Sequence, residues 1–329
     1  RTFATYVLRP FDITGGPLVP ILAVGVILFA FLVNIAGSRS VGLLSLIMAA
    51  VKIGGIALFG IAALWASGFQ FAAASEASPG FDITGFIASV ALAILAFKGF
   101  TTITNSGGEI TDPHRNVGRT IMISIAICVV VYLIVAFAVG SSLTIDQIVA
   151  AKDYSLAEAA APALGNAGFY FTVVLAAVAT ASGVLASVFA VSRMLAMLTD
   201  MKMIPHRHFG MSGPIRSHTL VYTVVIASIL AAFFDLTRIA SVGAFFYLVM
   251  DMIVHWGVLR FMRKEVNANA SIIILALVFD AIVLVAFTSM KLQSDPLIVL
   301  YAAVAITAVF AFQRIYLSRW TAPQPSEEH

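Results

Sequence analysis

Charge is what this chain most lacks. Asp, Glu, Lys and Arg make up 11% of its 329 residues, where a soluble domain carries about 25%. Apolar residues make up 61%, and the mean hydropathy is +1.02. A soluble protein of this length could not cover its surface with so few charges. The short alternating segments of a β-barrel are missing too, which leaves an all-α polytopic membrane protein. Cysteine occurs once, at Cys128 within an apolar run, so no intramolecular disulfide can form. The chain opens on Arg1 rather than Met, and nothing near it reads as a signal peptide; further sequence upstream is expected. There is no Walker loop, His-Glu-x-x-His, zinc-type cysteine pair or serine elbow, so no enzyme, cofactor or metal is implied. His206-x-His208 has no cysteine nearby and reads as solvated loop. The basic loops are too short and too poor in aromatics to suggest nucleic acid.

What the chain does have is long uncharged runs. Ala159 to Ser192 and Thr120 to Ile145 carry no Asp, Glu, Lys or Arg, and about 20 apolar residues suffice to cross a bilayer as a helix. Hydropathy predicts about nine transmembrane helices, near residues 17–34, 41–66, 83–106, 118–140, 167–198, 217–234, 238–260, 270–289 and 296–316. With the N-terminus outside, the inner connections and helix ends hold Arg39, Arg115, Arg119, Arg193, Lys202, Arg207, Arg216, Arg260, Arg263, Lys264, Arg314 and Arg319. The outer ones hold only Arg1, Arg9, Lys152, Arg238 and Lys291. The positive-inside rule then predicts a cytoplasmic C-terminus. Lys52 and Lys98 are left within spans.

The order of motifs carries a family resemblance. Asn34-x-x-Gly37-x-Arg39 is followed by Lys52 in the next span. The stretch FKGFTTITNSGGEITDPHRNVGR (97–119) then gives Gly99-Phe100, Glu109, Asp112-Pro113, Arg115-Asn116 and Arg119, and Ser192-Arg193 ends a later span. Together these resemble helices four to twelve of the amino acid–polyamine–organocation transporter superfamily. Two details depart from it: the family often shows paired glutamates and Ile-Pro-Arg, and here Gly108-Glu109 and Val117-Gly118-Arg119 stand instead.

The resemblance implies a LeuT-type inverted-repeat fold whose first three transmembrane helices lie outside this chain, on a preceding segment or another polypeptide. Residues 1–16 would be an external N-terminal segment and 17–66 the last two helices of the first repeat. Residues 83–260 would form the second five-helix repeat, 270–316 two peripheral helices and 317–329 a cytoplasmic tail.

It also implies roles. A helix can open inside a bilayer only where it lines a cavity, and its freed carbonyls then face a cation. Leu95, Ala96, Phe97, Lys98, Gly99 and Phe100 would thus form part of a substrate site, with carbonyls of Leu95, Ala96 and Lys98 toward a substrate ammonium. The plain alternative is a kinked helix in which Gly99 allows close packing. Lys98 could repel cationic substrates, hold a substrate carboxylate, or be a structural cation tied to Asp251 or to carbonyls.

Lys52 is twelfth in its span and too deep to snorkel easily. Burial disfavours a lysine's charged form in general, so such an amine can take up and release a proton. In the resemblance it stands where sodium-coupled relatives hold their ion, and Ser182 faces it; these two are the proton-coupling candidates. The alternative is a lysine permanently paired for structure. Glu109, Arg115 and Arg119 would form a cytoplasmic gate, or serve only to keep this loop inside.

Ala179, Gly183 and Ser187 recur at a spacing that lets helices approach closely. Asp251 and His255 share a helical face and read as a hydrated structural pair, with proton relay the alternative. Asp280, midway along its span, needs a neighbour or a proton.

The function implied is secondary active transport of an amino acid or amine, a small-molecule substrate, by proton-coupled symport across the plasma or inner membrane. The alternatives are an exchanger, or a non-transporting subunit or sensor that keeps the fold without its first helices. The partners expected are protons, the lipid bilayer and the N-terminal portion.

Overall fold

A computed structural model describes residues 1–13, 15–68, 82–99, 103, 110–151, 153–205 and 213–320. Phe100, Glu109, Lys152, His206, Arg207 and His208 lie outside them. The described residues form eleven α-helices: α1 (Thr2–Leu8), α2 (Leu18–Ile35), α3 (Ser38–Ala66), α4 (Ile83–Phe97), α5 (Pro113–Ser142), α6 (Ile145–Ala151), α7 (Ser155–Asp200), α8 (Ile215–Phe233), α9 (Leu236–Gly257), α10 (Ala270–Ser294) and α11 (Pro296–Trp320). Eight of these are long and apolar enough to cross a membrane, and α4 is a shorter apolar helix. The nine hydropathy runs therefore each hold a helix. The protein is a multi-pass, all-helical membrane protein.

Local chemistry places the helix ends. Gly37 joins α2 to α3 at φ +110 and ψ 163, a conformation essentially confined to glycine. Asn34, three residues earlier, donates its side-chain amide to the Ala30 carbonyl (2.7 Å) and finishes α2. The Asn34-x-x-Gly37 spacing is thus a helix stop followed by a turn. Asp82 caps α4, its carboxylate accepting from the amides of Thr84 and Gly85, a contact worth about 1 kcal/mol. Pro113 starts α5, where its missing N–H costs nothing. Within α7, Gly165 is non-helical at φ 68 and ψ −165, three residues after Pro162. That break separates a short connecting helix from the spanning one. After α9 the chain runs into a π-helical turn, Val258–Met262.

The chain divides into two compact units. One comprises Arg1–Ser78, Gly99–Lys202 and His206–Leu236. Here α7 lies at the centre, touching α1, α2, α3, α5 and α8. One core joins Ala4, Ala23, Ile27, Leu185, Val188 and Leu220, and a second joins Phe59, Ala63, Ala138 and Ala159. The abundance of alanine lets helix backbones approach without help from a hydrophobic drive, which lipid does not supply.

The first helix of this unit is not apparent in the hydropathy. The seven-residue α1 packs on α7 and α2, and its position is fixed by polar contacts. Arg1 donates from Nε to the Ala231 carbonyl and from Nη2 of its guanidinium to that of Ala232, both at 2.8 Å. Those carbonyls lie in the last turn of α8, where the helix dipole favours a cation. Arg9, just beyond α1, donates to Glu158 (Nε to Oε1, 2.8 Å) and to Asp12 (2.8 Å) and stacks on the Tyr154 ring. Burial alone would lower the Arg9 pKa, but Glu158, together with Tyr154 and Asp12, outweighs it and raises it. Tyr6 is buried against Ala157, Val173 and Ala176, and burial pushes its phenol up to about 12.

The other unit comprises Pro79–Lys98, Met203–Pro205 and Thr237–His329. Here α10 packs on α4 and α11. The neighbouring α9 joins them through Ala244, Phe245 and Leu248, which share a core with Ala88, Ala91, Val283 and Phe287. The Phe245 and Phe287 rings lie 4.9 Å apart, centroid to centroid.

Candidate functional site

The feature that sets α4 apart is where it stops. It spans 15 residues, about 22 Å at the helical rise, which falls short of a hydrocarbon core of about 30 Å. Lys98 follows in extended conformation (φ −72, ψ 114), its amide donating back to the Leu95 carbonyl at 3.1 Å. The helix therefore ends inside the apolar run, at Phe97, within the 95–100 stretch singled out in the sequence. Phe100, the last of the proposed substrate residues, is outside the described residues.

Lys98 has a specific partner. Its ammonium pairs with the Asp251 carboxylate on α9, and its Nζ lies 5.4 Å from the centre of the Tyr247 ring. Both partners are sequestered, with side-chain exposures of 5% for Lys98 and 18% for Asp251. Of the readings open for Lys98, the geometry is that of a cation tied to Asp251. Tyr247 and Asp251 stand four residues apart, so one face of α9 presents both ring and carboxylate to the end of α4.

The next turn of that face carries His255. Its Nδ1 lies 2.8 Å from Asp280 Oδ2 on α10. Asp251 and His255 were expected to pair with each other. Instead each takes a partner from another helix, Asp251 from the end of α4 and His255 from α10. Asp280, 9% exposed, thereby has its neighbour. Two polar ties, one turn apart, bind α9 to α4 and α10 beyond their shared apolar core.

The other candidates lie in the first unit. Lys52 is half-buried on α3, and among the described residues no ion pair or hydrogen bond reaches its ammonium. Ser182 is buried on α7 at 3% exposure, a helix that packs along α3; no hydrogen bond joins the two residues. Arg115 and Arg119 are exposed in the first two turns of α5, and Glu109, their expected gate partner, is outside the described residues.

The small-residue stripe differs from its expectation. A Cβ on Gly183 would meet nothing within 4 Å, and Gly183 and Ser187 line an open groove of about 400 Å³ with Arg1 and Thr180. Close approach occurs elsewhere, at Gly55 and Gly60 of α3, where a Cβ would stand 2.5 Å from Leu175 and 2.3 Å from Ile134. The Gly-Gly pair at 54–55 and Gly60, five residues on, were the available signal.

Among the described residues no cluster of histidine, cysteine and carboxylates could hold a metal. The chain is thus an all-helical multi-pass protein with one helix that stops inside its apolar run and an ion pair at that stop. The match to known families agrees: residues 2–310 fit the amino acid permease family, and the chain belongs to it. The family is one of membrane transporters. The chain is 25% identical over 270 residues to the inner membrane transport protein YbaT of Escherichia coli, covering 82% of this chain and 62% of that one. It is 28% identical over 236 residues to the uncharacterized protein MJ0609 of Methanocaldococcus jannaschii, covering 72% and 54%. It is 31% identical over 240 residues to the uncharacterized transporter Mb2022c of Mycobacterium bovis, covering 69% and 52%. The chain thus spans about half to three fifths of the length of these relatives.

Proposed function

We propose that the protein is a secondary active transporter that carries amino acids or related organocations by alternating access, with proton symport as its mode of coupling. The observation that carries this reading is the stop of α4 at Phe97. A helix that ends inside a bilayer must line a cavity, since its last carbonyls have no intrahelical donors. The negative end of the helix dipole there favours a substrate ammonium group. Family membership supports the amino acid class, and the Escherichia coli relative is named as a transport protein of the inner membrane.

In this reading the fold is of the LeuT inverted-repeat type. Helices α2 and α3 (within 17–66) close the first repeat, residues 83–260 form the second, 270–316 are peripheral and 317–329 are a cytoplasmic tail. The excess of arginine and lysine on one set of connections puts the C-terminus in the cytoplasm. Leu95 to Phe100 contribute to the substrate site. Lys52 carries the coupling proton, beside Ser182, and Glu109, Arg115 and Arg119 gate the inner side. Lys52 suits the coupling role better than a structural one, because among the described residues no carboxylate neutralises it.

The test is uptake of labelled amino acids by the full-length protein in proteoliposomes, with and without an inward proton gradient. Wild type should accumulate substrate with the gradient, and Lys52→Ala should lose that dependence. Uptake indifferent to both the gradient and Lys52→Ala would leave an exchanger, with Lys52 structural.

A further inference from the structure

The Lys98–Asp251 pair sits at the end of α4, and its geometry bears on which substrates the proposed site accepts. Lys98 is the first residue past α4 and carries the extended backbone that ends it. A bare ammonium there would attract carboxylates and repel cations. It is not bare: Asp251 takes its charge, and Tyr247 flanks it. Asp251 in turn has Lys98 as its cation, because His255, one turn along α9, gives Nδ1 to Asp280. The two charges, both largely withdrawn from solvent, leave a locally neutral pair beside the negative end of the α4 dipole.

We infer that Asp251 is a specificity-determining residue: by masking Lys98 it makes the site select zwitterionic amino acids with uncharged side chains over acidic and basic ones. This rests on the proposed function, in which the end of α4 contributes to the substrate site. A substrate ammonium meets the backbone dipoles. At this end of α4 an acidic side chain meets a cation already paired, and a basic one a carboxylate already paired. Juxtaposed charges without partners are costly where water is excluded, so neutral side chains enter at least cost.

The experiment measures uptake of labelled leucine, glutamate and lysine by the full-length protein in proteoliposomes. The variants are Asp251→Asn, Lys98→Gln and the double Lys98→Gln/Asp251→Asn. Asp251→Asn exposes the cation and should raise the glutamate-to-leucine ratio about tenfold, and Lys98→Gln should raise the lysine-to-leucine ratio by about the same factor. The double variant buries no charge and should return to the wild-type profile. On wild type alone, glutamate and lysine should each compete with leucine uptake about tenfold more weakly than unlabelled leucine does. That measurement stands even if a single variant fails to fold. Strong competition by either charged amino acid overturns the inference. So do unchanged ratios in folded single variants whose uptake falls uniformly and recovers in the double, since the pair is then scaffold only and the transporter reading survives. No uptake of any amino acid by wild type would remove both.

Discussion

Replacing Gly60 by alanine tests the packing of the first unit at its tightest point. The added methyl would stand 2.3 Å from Ile134 Cγ2 on α5, whereas ordinary contact begins at 3.4 Å. Ile134 must therefore retreat by about 1.1 Å, the difference between those two distances. Its methyl branches at Cβ, and a β-branched residue in a helix has one strongly preferred rotamer. The side chain cannot swing clear, so α3 and α5 must separate. Overpacking of this kind costs about 1–3 kcal/mol, and alanine returns up to about 1 kcal/mol of helix propensity. Setting that return against the middle of the overpacking range, about 2 kcal/mol, the net expectation is a loss of about 1 kcal/mol. Gly55→Ala meets Leu175 Cδ1 at 2.5 Å, the far end of a side chain that can rotate, so its net effect should lie within about 1 kcal/mol of zero. Gly183→Ala meets nothing and should be neutral or stabilising by up to about 1 kcal/mol. Thermal unfolding of the purified protein in detergent, followed by tryptophan fluorescence, should rank Gly183→Ala at or above wild type and Gly60→Ala lowest. A Gly60→Ala protein as stable as wild type would refute the argument, and so would Gly183→Ala ranking last.

Three further variants concern ionisable groups. Asp280→Asn removes a carboxylate that is 9% exposed and bound to His255, and should lower stability by about 1–3 kcal/mol. Arg238→Ala breaks a pair with Asp295 that is 3.2 Å long and 44% exposed on the arginine side, and should cost less than about 1 kcal/mol; equal melting shifts would contradict the contrast. Tyr6, with its phenol raised to about 12, favours the protonated form when folded. The folded state then holds more protons than the unfolded one between pH of about 10 and 12, so stability falls as pH rises through that window. Absorbance titration at the phenolate band should lose its component near the top of the window in Tyr6→Phe, and an unchanged titration would contradict the burial argument.

The spans were legible because a membrane helix declares itself by length and lack of charge, and a helix satisfies its own backbone in lipid. Several ends were legible as well. Asn34-x-x-Gly37 and Asp112-Pro113 each act through local backbone preference, which sequence carries directly. Helix α4 stops at Phe97, within the 95–100 stretch that the resemblance picked out. What sequence carried poorly was partnership. Asp251 and His255 do share a face, as their spacing required, yet their partners come from Lys98 and Asp280, 153 and 25 residues away. Spacing places residues on one face and does not say which helix covers it. The stripe at Ala179, Gly183 and Ser187 shows the same gap, since its close approach belongs to Gly55 and Gly60 instead. Helix α1 was missed because seven residues with arginines at both margins give no hydropathy signal, while its docking depends on carbonyls of α8 and on Glu158.

The most direct measurement is concentrative uptake. Full-length protein in sealed proteoliposomes, given labelled leucine and an inward proton gradient, should accumulate it above the external concentration and release it when an ionophore collapses the gradient. Time courses no different from protein-free vesicles, across neutral, acidic and basic amino acids, would contradict the account at its centre.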